Sequence, residues 1–213
     1  MRYIVLDTET TGLDPDDGHK IIEIGCIEII NRKVTDNTFH KYINPLREID
    51  REASKVHGLT ASNLSNKPIF HDIYEEFLEY IADSPLIIHN APFDIGFLKK
   101  EFDHLKIKDS FIKNEIIDTL KLARKISPGK KNTLDALCER YSVDNSDRNL
   151  HGALTDARLL AYIYLKLTIG QNNFNDLSLE QGIQVDDIDT TNKDFKVIKA
   201  SKDDVILHEL YFK

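Results

Sequence analysis

The chain has 213 residues, 41% hydrophobic and 30% charged, which suits one domain with an extension and excludes a membrane-buried, collagen-like or wholly disordered polymer. Its 36 acids outnumber 28 bases for a net charge of −8, the wrong sign for gripping a polyanion through bulk charge. No N-terminal run reaches the ~7–15 apolar residues of a secretory signal or the ~18 of a membrane span, and Cys26 and Cys138 form no CxxC pair, so a cytoplasmic protein with buried, reduced thiols is expected.

Tyr3-Ile4-Val5-Leu6 reads as a strand closed by Asp7, and Asp7-Thr8-Glu9-Thr10-Thr11-Gly12 follows. On extended backbone Asp7 and Glu9 point to one face about 6.6 Å apart, at ~3.3 Å per residue, so a single cation can contact both. The alternative is a polar turn, since Thr, Asp and Gly are ordinary turn residues. Residues 21–30 are rich in β-branched side chains, 31–33 make a polar turn and 38–43 alternate, which predicts an antiparallel meander of three strands.

Ile73, Phe77, Leu78 and Ile81 keep the helical period, and Leu86-Ile87-Ile88 is a short buried strand. His89-Asn90-Ala91-Pro92-Phe93-Asp94 then leads into a helix marked by Phe97, Leu98 and Phe102. Asp94 suits a helix N-cap there; the junction is also where α/β folds place ligands, and the two readings are compatible. Further helices are expected around Leu120 and Ala123, around Leu134, Leu137 and Cys138, and from about Ala153 to Leu167. Strands first, then strands mixed with helices, predict an α/β domain ending near Thr168.

Asp156 shares a helical stripe with Leu160, Ile163 and Leu167 and therefore faces the core. An uncompensated ion there costs several kcal/mol, so it must be protonated, paired or bound to metal. Arg148 and Arg158 are candidate partners, but Arg158 is two residues on and points to a different face. If Asp7, Glu9, Asp94 and Asp156 converge, two charges ~5 Å apart at an effective dielectric of ~20 repel by about 3 kcal/mol, which a divalent ion relieves. An all-oxygen set selects Mg²⁺ or Mn²⁺ over Zn²⁺. Residues 171–213 carry −4, so neutralising these four acids would cancel the charge remaining on the rest and weaken the objection from composition. His151, in a His-Gly segment just ahead of the Asp156 helix, can swing toward such ions and accept a proton near neutral pH, although a lone histidine is more often structural.

After Gly170 the composition shifts. Residues 180–194 are polar and acidic, as in a linker. Ser201 followed by Asp204 resembles a capping box ahead of Val205, Leu207 and Leu210, a helix too short to stand alone in water.

The blocks at 7–12, 89–94 and 151–156, in this order and with the histidine five residues before the last aspartate, resemble the three motifs of the DnaQ-type (DEDDh) 3′→5′ exonucleases. GHKIIEIG at 18–25, VHG at 56–58, FDIGF at 93–97 and PGKKNTLDALCERY at 128–141 extend the similarity, over residues 2–171, to the proofreading exonucleases of bacterial DNA polymerase III. The resemblance implies an RNase H-like α/β fold, a mixed sheet flanked by helices, with the exonuclease domain over residues 1–170. It implies that Asp7, Glu9 and Asp156 bind two Mg²⁺ or Mn²⁺ ions and contact substrate, that Asp94 assists through water and that His151 is the general base. It also implies that Glu52 and His57 touch the terminal nucleotide, though from the residues alone Glu52 is a solvated helix residue and His57 a loop residue.

The implied reaction is in-line hydrolysis at a DNA 3′ end, with unpaired ends preferred. Lys121, Arg124, Lys125, Lys130 and Lys131 are either contacts to the DNA backbone or a solvated face. Residues 171–194 are expected to be an acidic linker without the Gln-rich run often seen in the family, and the segment over 195–213 resembles the tail that docks on the polymerase catalytic subunit. A sliding-clamp segment is matched only in part: Phe174 follows Gln171, but Asp176 stands where a second apolar anchor is usual.

Overall fold

Strand β1 (Arg2–Thr10) runs beyond its apolar stretch and takes Asp7-Thr8-Glu9-Thr10 into the sheet as extended backbone. Strand β2 (Ile21–Ile30) pairs with it antiparallel, from Arg2 opposite Ile30 to Glu9 opposite Glu23, so the turn alternative fails for those four residues. A 3-10 turn at Pro15–Asp17 lies between the two. Strand β3 (Lys33–Tyr42) completes the meander through Asn31 and Arg32, both at positive φ, the two-residue turn geometry that matches the strand twist.

The chain continues through α1 (Arg51–His57), α2 (Ala61–Leu64), α3 (Phe70–Ile81), β4 (Leu86–Ile88), α4 (Ala91–His104), β5 (Ile116–Asp118), α5 (Thr119–Ile126), α6 (Leu134–Tyr141) and α7 (Ala153–Leu167). The computed structural model describes residues 1–107, 113–146, 148 and 150–169; the expected linker, clamp segment and docking segment lie outside the described residues. No helix among those described is long and apolar enough to cross a membrane.

The five strands run in the order β3-β2-β1-β4-β5, with β4 parallel to β1 and β5 parallel to β4. This is the expected mixed sheet between helices. Alternation along β1 divides the core. Ile4 and Leu6 pack with Phe77 of α3 and with Phe97, Leu98 and Phe102 of α4 on one face. Val5, with Ile27, Ile29 and Ile87, packs on Ala157, Leu160, Ala161 and Tyr164 of α7 on the other. A third cluster joins Ala123, Leu137 and Cys138 to Leu159, Ile163 and Leu167, and both cysteines are buried free thiols.

Gly25 brings α7 close. It lies opposite Asp7 in the ladder, and a Cβ on it would drive into the backbone of Ala153 and Leu154, nearer than real Cβ contacts come. The first turn of α7 thus rests directly on the sheet beside the end of β1.

Candidate active site

Period-two alternation places Asp7 and Glu9 on the Val5 face of β1, toward α7. Asp156, on the first turn of α7, is 3% exposed and looks back at them. Asp94 arrives from α4, whose start lies at the carboxyl end of the parallel strands, and is equally buried. The N-cap expectation for Asp94 is corrected: Asn90 caps α4 in a left-handed conformation, and Asp94 lies one turn inside. Pro92 occupies the first helical turn, where its missing N–H costs nothing, so the helix begins earlier than an aspartate cap predicts. The carboxylate instead accepts a 2.8 Å hydrogen bond from the Thr8 hydroxyl.

All four acids and His151 line one cleft of about 650 Å³. Burial, and then the charges of Asp94, Glu9 and Asp156, hold the Asp7 carboxyl well above the usual range. Glu9 is pushed up to about 8 by burial and by Asp156, Glu23 and Asp94. Asp94 rises to about 7 through burial, against the hydrogen bond from Thr8. The repulsion expected of converging acids is thus present.

Within the cluster, Glu9, His151 and Asp156 each offer a ligand atom, and these atoms lie within 4.8 Å of one another. Oxygen donors in buried acids, one imidazole and no thiolate suit a hard divalent ion. The cluster marks a site suited to a divalent ion.

Of the two arginines offered to Asp156, the structure selects Arg148. Its Nε donates to Oδ1 of Asp156 at 2.5 Å and its Nη2 to Oδ2 at 2.7 Å, with both side chains almost fully buried. The same Nη2 donates to Nδ1 of His151 at 2.8 Å, and Nη1 reaches the exposed Asp135 of α6. The sequence signal for Arg148 was only its candidacy as a partner for Asp156, because a loop residue has no periodicity to fix its direction. Thr8 was missed altogether; period two puts it on the α4 side of β1, but only the fold brings Asp94 there.

His151 precedes α7, as its His-Gly context predicts, with its side chain 44% exposed. Its N–H donates to the Val56 carbonyl at 3.0 Å, tying this segment to α1. Glu52, expected at the terminal nucleotide, is exposed on α1 and paired with Lys55 at 2.6 Å, outside the cleft lining. His57 is the last residue of α1 and not a loop residue; its buried ring accepts the Leu59 N–H through Nδ1 at 3.1 Å, and burial lowers its pKa. The basic set divides: Arg124 and Lys130 line the cleft, whereas Lys121 and Lys125 line a neighbouring groove.

The exonuclease (RNase T) family matches residues 4–164. The chain is 52% identical to DNA polymerase III subunit epsilon of Buchnera aphidicola subsp. Schizaphis graminum (strain Sg), over all of this chain and 96% of that protein. It is 47% identical to the subunit of the same name from Salmonella typhimurium, over 98% of this chain and 90% of the other. Among solved structures it is similar to exonuclease X in complex with 5′ overhanging duplex DNA, with a TM-score of 0.65 and 26% identity over 80% of this chain and 93% of that one. The nuclease domain of 3′hExo, a DEDDh family member bound to rAMP, shares the fold at a TM-score of 0.64 and 17% identity, over 78% and 90% of the two chains.

Proposed function

This chain belongs to the RNase T-type exonuclease family, and on that footing we propose that its acidic cleft hydrolyses the 3′-terminal phosphodiester of DNA. It is the proofreading 3′→5′ exonuclease subunit of DNA polymerase III. A replication subunit of this kind works in the bacterial cytoplasm. The observation that carries the reading is the convergence on one cleft of the buried Glu9, Asp94 and Asp156 and the half-buried Asp7, acids whose mutual repulsion a divalent cation relieves.

Asp7, Glu9 and Asp156 would hold two divalent ions, Mg²⁺ or Mn²⁺, with Asp94 assisting. When bound, such ions lower the pKa of coordinated water and offset charge on a phosphoryl group. His151, on the open side of the cleft, takes the proton of the attacking water. Thr8 keeps Asp94 oriented, and Arg124 and Lys130, which also line the cleft, meet backbone phosphates. His57 and Glu52 contact the terminal nucleotide; the exposed Glu52–Lys55 pair is worth little and yields easily to that contact. A mispaired end frays at lower cost than a matched one, so it enters the cleft more often.

Relatives covered over nearly their whole length are polymerase III subunits, which supports docking on the catalytic subunit through residues 195–213. The segment at Gln171 and Phe174 lacks its second apolar anchor at Asp176, which argues against a strong contact with a sliding clamp.

The test is digestion of primers with matched and mismatched 3′ termini in Mg²⁺ or Mn²⁺. The mismatched end is expected to be removed faster, and Asp7→Ala to lose at least ~10³-fold in rate while keeping its fold, because its carboxylate serves ions on which the chemistry depends. Normal turnover in that variant would remove Asp7 from the site.

A further inference from the structure

We propose that Arg148 is a positioning residue that stands in for a divalent cation at Asp156 and His151 and must be exchanged for that cation before hydrolysis. The inference rests on the reading that Asp156 and its neighbours hold the ion.

Geometry carries it. Of the three ligand atoms grouped within 4.8 Å, those of Asp156 and His151 belong to side chains already engaged by Arg148. The guanidinium bridges both oxygens of Asp156, taking the fork-facing lone pair of each and setting a positive charge where a cation would sit. Nδ1 of His151 lies 2.8 Å from Nη2 of Arg148 and 3.3 Å from Oδ2 of Asp156; against the nearer guanidinium, which can only donate, Nδ1 is the acceptor and the ring proton sits on Nε2. An imidazole held that way has its one acceptor nitrogen occupied and cannot take a proton from water. The contact that neutralises Asp156 therefore also holds the base idle.

Release does not leave an unpaired buried cation. Nη1 already reaches Asp135 on α6, which is more than half exposed and gives Arg148 a second carboxylate to stay with. Arg148 also lies in the connection between α6 and α7, its N–H donating to the Asn145 carbonyl at 3.0 Å, so its movement deforms no helix.

The experiment is titration of the full chain with Mn²⁺ by calorimetry, without nucleic acid, comparing wild type, Arg148→Gln, Arg148→Lys and Asp156→Asn. Removing a charge-assisted competitor should tighten Mn²⁺ binding about tenfold in Arg148→Gln. Arg148→Lys, which keeps the charge without the fork, should tighten it less and covers the case in which the glutamine variant does not fold. In chelator, Arg148→Gln should melt lower than wild type and gain more on addition of Mn²⁺. Unchanged Mn²⁺ affinity in both arginine variants, with Asp156→Asn still abolishing binding, overturns the exchange and leaves the site reading standing. Wild-type binding that survives Asp156→Asn overturns both.

Discussion

Thr8 is neutral, yet its hydroxyl bears directly on a catalytic charge. Burial drives the Asp94 carboxyl up to about 7, and the 2.8 Å hydrogen bond from Thr8 opposes that rise. Thr8→Val keeps the shape and removes the donor, leaving a buried carboxylate one bond short at a cost of about 1–3 kcal/mol. Losing a bond that stabilises the ionised form raises the Asp94 pKa further, so the acid limb of the pH–rate profile should move to higher pH, with a rate loss of about tenfold near neutrality. A profile that superimposes on wild type would show that Asp94 is held in place by other groups. Asp7 and Glu9 share a face only if the strand continues through them, which the local sequence left open against a polar turn and the ladder with β2 decided. Asp94 was not legible either, because an aspartate near a helix start satisfies the capping pattern whether or not it caps.

At the scale of elements, the site depends on how near α7 comes to β2. The helix itself was readable from its stripe of Leu160, Ile163 and Leu167, and so was the meander from its β-branched runs. Of the short pieces, β4 was readable as an apolar run, whereas β5, with three residues, and α2, with four, were not, being too short to show any period. Gly25 could be quoted within a motif, but its purpose appears only when Ala153 and Leu154 are seen against it. Gly25→Ala forces backbone apart, an overpacking cost of about 2–3 kcal/mol, and carries Asp156 away from Glu9. We expect a lowered denaturation midpoint together with weakened Mn²⁺ binding and nuclease rate. Loss of stability alone, with Mn²⁺ affinity retained, would mean that α7 shifts without disturbing its first turn.

Across the whole molecule, the acids that serve the site work against the metal-free fold. The carboxyls of Asp7, Glu9 and Asp94 all titrate above their unfolded values, so they favour folding while protonated, below pH ~4, and that stability is lost as pH climbs, through about 7 for Asp94 and about 8 for Glu9. In chelator the melting temperature should therefore fall by at least several degrees between about pH 5.5 and about pH 8.5, and Mn²⁺ should restore more at the higher pH. A melting temperature flat or rising with pH in chelator would show these acids to be compensated from within. Periodicity alone determined the α/β class, the three-stranded meander, the helix over 153–167 and the core-facing side of Asp156, because local backbone geometry dictates which residues share a face. Tertiary structure decided that Arg148 reaches Asp156 and His151, that Thr8 meets Asp94, and that Glu52 stays on the surface with Lys55. The first two contacts join residues from different elements, and the distance between elements is set by packing, which no local pattern encodes; the third lies within α1, and packing decides only that its face stays outside the cleft.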